Sequence, residues 1–501
     1  MNDQLKSESM PERLPIREKI AWGTGGFSEQ LACNGLNNLF VPIYNIGLGL
    51  DSVLIGWAIS IPRFFDMVSD PVMGNISDNC RSRFGRRRPF ILIGSILMAV
   101  LFALTYMASP LWGSWALFAY AVVACILFYL AYTVFSVPFA ALGLELTTDY
   151  DERADVQKYR MVFASFGTLS IPWLYKICIS VGQYVRNLLD QGGAEQYRFL
   201  LRPVAALAEE GSIAPEVLGV RYVAWITAAL IILTALPASL FTREKAQVGA
   251  TKKIDFLKSA RLVLKNKSFR IQCLMIFLVI TGMFFLGALV LYVNIFHVCG
   301  GDKAAAATWA GLYGSMTGIF SLLSTFIIPV LVRRFDKKKI LIAGVGLAAL
   351  AILSSWFLFN PALPALQLIL SAFLGFGMSA CWMLNGAFIA DICDEDELQN
   401  GLRREGMFSA MFGFMVKLAF TAIALMLGYI LKFIGYEAGA NTMQPETLLR
   451  LRLFVALFPS SCLLLAILNF SRYSLNRQRV QEIQAELTRR RAQSDPQGTF
   501  L

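Results

Sequence analysis

The chain has 501 residues, of which 56% are hydrophobic and only 16% charged. Soluble domains carry about 25% charged residues, so this composition excludes an ordinary soluble protein and indicates a chain solvated mainly by lipid. The net charge of +11 does not indicate nucleic-acid binding, because the basic residues form short clusters between long apolar runs, as they do in membrane proteins.

Many segments of the chain are long enough to cross a bilayer, which takes about 20 mainly apolar residues in a helix. The pattern therefore predicts an all-α membrane protein, with the first helix as its own insertion signal. The twelve predicted spans are 20–46, 53–77, 89–108, 112–144, 159–185, 220–241, 269–297, 305–332, 340–360, 364–391, 406–433 and 449–471.

Lys and Arg cluster in every second loop, for example at Arg86 to Arg88 and at Lys337 to Lys339, whereas the loop 47–52 has neither. Because basic loops stay in the cytoplasm, both termini and the central loop are expected there, with the spans in the plasma membrane (the inner membrane of a bacterium). The predicted domains are a cytoplasmic N-terminal segment 1–19, a six-helix half 20–241, a central loop 242–268, a second six-helix half 269–471 and a basic cytoplasmic tail 472–501.

The two halves repeat each other. Arg83 to Arg88 join the second and third spans, and Arg334 to Lys339 join the eighth and ninth at a nearly constant spacing. Glu145 ends the fourth span and Asp391 the tenth. Such a parallel duplication, with a binding site between the halves, is how the major facilitator fold is built.

Charged residues inside the spans are candidates for function, because each costs about 2.5–3.5 kcal/mol even on insertion scales. Asp66 and Asp70 are four residues apart in the second span, so they share one helix face. Two carboxylates this close in a low-dielectric site bind either a proton or a cation, and both outcomes suit ion coupling. The alternative is a structural ion pair between Arg63 and one of the acids.

The second span ends in a charged segment that contains Asp78, Arg81, Arg83, Gly85 and Arg86 to Arg88. At the cytoplasmic end of a helix these residues are expected to make interhelical charge contacts that hold one conformation and break in another. Glu145 and Asp391 belong to the same predicted gating set. The alternative is a signal for topology alone.

Other polar residues could face a wet cavity. Lys417 lies well inside the eleventh span, where it could donate to a hydroxyl or balance the acids, or extend to the interface. Trp382 could stack on a sugar ring or pack in the core. Gln30, Asn34 and Asn385 could bind hydroxyl groups or hold helices together.

Some sequence signals are absent. The chain has no GxxxxGK[ST], GxSxG or HExxH pattern, so neither ATP-driven transport nor an enzyme is expected. One His and nine scattered Cys do not predict a metal centre. We expect no cofactor beyond a coupling sodium ion or proton. The expected partners are a small solute and the bilayer, with no nucleic acid, and the protein is expected to be a monomer.

The motifs together resemble a known family. They resemble the glycoside–pentoside–hexuronide:cation symporters over about 18–475. The matching elements are Asp66-x3-Asp70-Pro71-x-Met73-Gly74, Arg81-Ser82-Arg83-x-Gly85, Glu145-Leu146-Thr147 and Arg404-Glu405-Gly406-Met407-Phe408.

The resemblance implies roles for single residues. Asp66 and Asp70 match the acids that bind the coupling cation in the family, and Thr133 matches a threonine of that site. Ser136 stands where the family pattern offers a further acid, which is a departure. This departure predicts weak sodium binding, with protons as the alternative coupling ion.

The resemblance also implies a solute site. Lys417 matches a lysine of the polar site. Gln30 replaces the sugar-binding acid of the first helix, with Glu29 beside it, and Arg160 lies one position from the expected loop arginine. The expected function is symport of a sugar or glycoside with sodium or a proton by alternating access. The alternatives are a carrier of lipids or other amphiphiles and a non-transporting receptor.

Overall fold

The computed structural model describes residues 14–147, 150–190, 213–242, 263–401, 404–440 and 442–494, and these ranges contain helices and no strand. The chain divides into two compact units, Met1–Ala250 and Thr251–Leu501. The helices of the first unit are α1 Ile16–Val41, α2 Ser52–Asn79, α3 Arg88–Thr105, α4 Ser114–Glu145, α5 Tyr150–Ser170, α6 Leu174–Asp190 and α7 Pro215–Leu240. Those of the second unit are α8 Lys267–Val293, α9 Lys303–Arg334, α10 Lys337–Leu353, α11 Gln367–Asn400, α12 Glu405–Ile434, α13 Pro445–Ser471 and α14 Arg477–Ser494.

The predicted spans all fall on helices. Within the described ranges, ten helical segments are long and apolar enough to cross a membrane. The two remaining predicted spans are α1, which is interrupted by polar residues, and α10, which has 17 residues. The predicted fifth span consists of α5 and α6 joined by one 3₁₀ turn, Ile171–Trp173. The all-α membrane fold is confirmed.

Helix packing shows the duplication directly. In the first unit α1 packs on α5 and α7, α4 packs on α2 and α3, and α3 packs on α7. In the second unit α8 packs on α12 and α13, α11 packs on α9 and α10, and α10 packs on α13. The two sets of contacts have the same pattern, which confirms two pseudo-symmetric six-helix units.

The repeat extends to the turns after α1 and α8, a detail that the sequence did not indicate. Each helix continues into a π-helical turn, Pro42–Gly47 in the first unit and Asn294–Val298 in the second. Both turns lead to a glycine with positive φ, Gly49 at 70° and Gly300 at 58°, a conformation that side chains disfavour.

An aspartate follows each of these glycines. Asp51 accepts hydrogen bonds from the first N–H groups of α2, and Asp302 does the same for α9. Such N-caps satisfy the free donors of a helix start. Helices α2 and α9 therefore begin in equivalent ways.

Two predicted segments remain, the central loop and the C-terminal tail. The predicted central loop 242–268 falls mostly on residues outside those ranges. The basic tail 472–501 contains a helix, α14, which the sequence analysis did not predict.

Candidate cation and solute site

Helix α2 carries the paired acids between two prolines, Pro62 and Pro71. A proline inside a helix removes a backbone donor and loosens the local helical ladder. Asp66 is buried with 5% of its surface exposed, and Asp70, which immediately precedes Pro71, is half-buried. Both acids therefore lie between two positions at which α2 lacks a backbone hydrogen-bond donor.

The carboxylates of Asp66 and Asp70 both approach one hydroxyl group on α4. The hydroxyl oxygen of Thr133 lies 3.0 Å from Oδ1 of Asp66 and 3.2 Å from Oδ1 of Asp70. Thr133 is 1% exposed, and its hydroxyl has one proton, so it can donate to only one carboxylate at a time. The structure thus brings together three of the four residues predicted for the cation site.

Ser69 belongs to the same cluster and was missed by the sequence analysis. Its hydroxyl oxygen lies 3.1 Å from that of Thr133, and it donates to the carbonyl of Asp66 at 3.1 Å. Its position between the two acids, one residue before Asp70, is the signal that could have found it. Carboxylate, hydroxyl and carbonyl oxygens are the ligands that hard cations prefer.

Ser136, the fourth predicted residue, lies one turn after Thr133 on α4 and is half-buried. Residues three apart share a helix face. Ser136 therefore stands on the side of α4 that presents Thr133 to the acids. Its role in cation binding stays a prediction.

Arg63 lies one turn before Asp66, and its guanidinium carbon is 5.5 Å from the centre of the Tyr129 ring. The Tyr129 hydroxyl donates to Oδ1 of Asn37 at 3.1 Å. Arginine over an aromatic face is electrostatically favourable. The aromatic residue keeps a positive charge beside the acid pair, and no sequence signal indicated it.

The predicted first-helix acid and loop arginine form an ion pair. Arg160 on α5 donates to both carboxylate oxygens of Glu29 on α1, at 2.7 to 3.2 Å. The helices come close at Gly26, where a Cβ would lie 2.7 Å from the carbonyl oxygen of Arg160. One turn further along α1, Asn34 donates to Gln30. These four predicted solute residues therefore lie near one another.

In the second unit the predicted solute residues differ in exposure. Trp382 is 41% exposed, whereas Asn385 is buried and its oxygen accepts a hydrogen bond of 2.7 Å from Gln272. This contact fits the helix-holding role that was the alternative for Asn385. Lys417 is half-buried on α12. Gln272 was not predicted.

The charged segment after α2 is organised around Glu145. Arg86 and Arg87 both contact Oε1 of Glu145 at 2.7 Å, and Arg87 also contacts Asp78 at 2.7 Å. Arg87, which belongs to the predicted segment, is the buried centre of this cluster, with 6% exposed.

The ionisation of this cluster follows from its contacts. Burial opposes charge on Glu145, but its hydrogen bonds with Arg87 and Arg86 outweigh burial, so its pKa lies below the usual range. Burial likewise opposes charge on Arg87, and the acids raise its pKa above the usual value. Glu145 and Arg87 are therefore both charged at neutral pH.

The remaining residues of the segment form its turn. Gly85 has φ of 101° and donates its N–H to Ser82, so a glycine is required there. Arg81 and Arg83 are exposed.

The second unit has a smaller equivalent. Asp391, in the last third of α11, pairs with Lys337 at the start of α10, and the Lys337 nitrogen lies 5.4 Å from the centre of the Phe388 ring. Lys337 occupies the place in the repeat that Arg86 occupies in the first unit. The prediction named only Asp391.

Two repeated six-helix units with paired acids inside one of them define a membrane transporter of the major facilitator fold. The chain belongs to the family described as MFS/sugar transport protein, which it matches over residues 21–477.

Relatives cover nearly the whole chain. An uncharacterized symporter of Synechocystis is 26% identical over 96% of this chain and 98% of its own length. A putative glycoside/cation symporter of Escherichia coli is 25% identical over 96% of both chains. The fold is also similar to the crystal structure of a bacterial homologue of the human lysosomal transporter Spinster, with a TM-score of 0.62, 13% identity, and coverage of 92% of this chain and 97% of the other.

Proposed function

We propose that this secondary transporter carries a sugar or glycoside together with a cation, sodium or a proton, by alternating access. The observation that carries the proposal is the oxygen cluster of Asp66, Asp70 and Thr133 inside the membrane, with hydroxyl–carboxylate distances of 3.0 and 3.2 Å. Membership of a sugar transport family supports the solute class.

The acid pair supplies the coupling. Two bare carboxylates in a low-dielectric site repel each other, so uptake of a proton or a cation is favourable. Among the described residues no group of three or more His, Cys, Asp or Glu could hold a metal ion. The two carboxylates and the nearby Arg63 together carry about one negative charge, so a monovalent cation or a proton brings the site close to neutral.

The coupling ion follows from the number of acids. The pair carries at most two negative charges, and Arg63 offsets part of that charge. With Ser136 in place of a third acid, sodium is held weakly and protons are the alternative coupling ion.

The solute site is proposed on α1 and α5. Glu29 and Arg160 offer an acceptor and a planar set of donors, and Gln30 and Asn34 offer both. Sugar hydroxyl groups donate and accept hydrogen bonds, so this combination matches their chemistry. One of the relatives is named a glycoside/cation symporter, which favours a glycoside for this chain too.

The proposed location is the plasma membrane, the inner membrane in a bacterium, with both termini in the cytoplasm. The distribution of Lys and Arg between alternate loops supports this orientation. A reporter fused after Leu501 should be active only if it functions in the cytoplasm. Activity of a reporter that needs the opposite side would contradict the orientation.

Gradient-driven uptake into proteoliposomes tests the proposed function. Purified protein is supplied with a panel of monosaccharides, glycosides and one lysophospholipid under an inward gradient of sodium or protons, with protein-free liposomes as the control. We expect at least one saccharide to accumulate above its external concentration. Accumulation of the lysophospholipid alone would favour the amphiphile carrier instead. Membership of a sugar transport family disfavours the alternative of a non-transporting receptor.

A further inference from the structure

The C-terminal helix α14 is docked on the second unit. Its buried side chains Val480, Ile483 and Leu487 recur at helical spacing and form one apolar stripe. Leu475, just before the helix, is buried as well. In a solvated tail these side chains would be exposed. Their burial shows that the helix is a packed element of this unit.

The start of α14 is bonded to the start of α10 through one carboxylate. Asp336 accepts the N–H of Lys338 at 2.8 Å with one oxygen and the N–H of Arg477 at 3.0 Å with the other. The side chain of Lys338 donates to the carbonyls of Ser471 and Tyr473 at 2.8 and 2.7 Å. A single acid thereby caps two helices and fixes one start against the other.

The later part of α14 is bonded to the end of α11. Gln484 donates to Asp394 at 3.3 Å, and Arg490 donates to the carbonyl of Leu398 at 3.1 Å. Exposed contacts of this kind are individually weak. The docking therefore depends mainly on the buried stripe.

The Lys337–Asp391 pair lies between these two attachments. Lys337 directly follows Asp336, and Asp391 is one turn before Asp394. The Lys337 ammonium lies over the face of the Phe388 ring. The centres of the Phe388 and Tyr473 rings are 5.5 Å apart. Tyr473, at 2% exposed, thus links the ion pair to the segment that leads into α14.

We propose that α14 is a reversible latch that keeps the Lys337–Asp391 pair formed. While α14 is docked, it ties the start of α10 to the end of α11 from both sides. When α14 leaves, the pair loses Asp336 as a shared anchor and the cover of Tyr473, and this end of the second unit opens more readily. This role concerns the ion pair and does not depend on the identity of the solute.

Hydrogen–deuterium exchange of the full-length protein in detergent tests the latch. Ile483→Asp places a charge in the buried stripe, and Ala485→Asp places the same charge on the exposed face of α14 as a matched control. We expect Ile483→Asp, and not Ala485→Asp, to speed exchange of peptides covering 336–342 and 388–400 by about fivefold or more. Faster exchange confined to α14 itself would overturn the proposal.

A second arm distinguishes a latch acting through the ion pair from a general loss of packing. Lys337→Met removes the pair, so adding Ile483→Asp to it should increase exchange of 388–400 by less than about twofold. Multiplicative effects of the two changes would overturn the proposal. If Ile483→Asp does not yield a monodisperse protein, Leu487→Ala, which only shortens the stripe, replaces it in both arms.

Discussion

The helix pairs α2–α4 and α9–α11 occupy equivalent places in two copies of one fold, yet only the first pair carries acids inside the membrane. In the register fixed by the capped turns at Asp51 and Asp302, Asp66 and Asp70 correspond to Thr317 and Ser321. The Thr317 hydroxyl donates to the carbonyl of Tyr313 in its own helix at 2.9 Å.

The second pair uses the same place for close packing. A Cβ on Gly375 of α11 would lie 2.4 Å from the carbonyl oxygen of Thr317 and 2.9 Å from the backbone nitrogen of Ser321. The α9 and α11 backbones are in direct contact there, which leaves no space for a side chain on α11. The duplication has kept the packing of the helices, whereas the acid pair is present in one copy and replaced by hydroxyl residues in the other.

Among the variants considered, Asp66→Asn should have the largest effect on transport. Accumulation driven by a cation gradient should fall by about tenfold or more, because a hydrogen bond to a charged group contributes roughly 1.5–3 kcal/mol. Some downhill exchange of the solute should remain. The measurement is uptake into proteoliposomes of the saccharide selected by the panel.

Thr317→Asn is the matched control for that variant, since it changes the equivalent position of the second copy. It should accumulate solute at close to the wild-type level. If Asp66→Asn concentrates solute as well as wild type, the coupling assignment is wrong.

The two cytoplasmic ion clusters should differ in their contribution to stability. Glu145→Gln removes a carboxylate that contacts the buried Arg87, and should destabilise the protein by about 3 kcal/mol at most. Asp391→Asn removes the partner of one lysine and should cost roughly 1–2 kcal/mol. Thermal unfolding in detergent measures both. An equal or larger loss for Asp391→Asn would contradict the central role of Glu145.

Acid should weaken the first cluster in a defined direction. The pKa of Glu145 is lowered from 4.5, so its contribution to stability is complete above this value and is lost as the pH falls through the lower folded-state pKa. The acid side of the stability profile should be flatter in Glu145→Gln than in wild type. Identical profiles would show that Glu145 does not stabilise the folded state through its charge.

Ser136→Asp should have a smaller effect, on sodium affinity. A third carboxylate beside Thr133 should tighten apparent sodium affinity by about fivefold, equivalent to roughly 1 kcal/mol of added attraction. Ser136→Asn, which has similar size and no charge, is the control. Equal sodium dependence of uptake in wild type and Ser136→Asp would mean that this position does not contribute to the cation site.

The fold could be predicted almost completely from the sequence, because spans of about 20 apolar residues have few alternatives in a bilayer. The acid pair was equally accessible, since Asp66 and Asp70 are four apart in one helix. Thr133 is on another helix and came only from the resemblance to a family. Nothing in the local pattern around Thr133 distinguishes it from the other hydroxyl residues of α4.

Contacts made by tertiary structure account for the rest. Ser69 contacts Thr133 and Tyr129 contacts Arg63 only when α2 packs on α4. Lys337 and Lys338 are adjacent in a run of three lysines, but Lys337 pairs with Asp391 whereas Lys338 donates to the carbonyls of Ser471 and Tyr473. The α14 helix has a mostly polar sequence, and its apolar stripe has meaning only against the surface that covers it.

The central claim is that the acid pair couples solute to a cation, and solute-induced ion movement tests it most directly. Proteoliposomes without any imposed gradient receive the transported saccharide while internal pH and internal sodium are recorded. Wild type should show an influx of protons or sodium that begins with solute addition, and Asp66→Asn should show none while still binding solute. Solute entry without ion movement in wild type would contradict the claim.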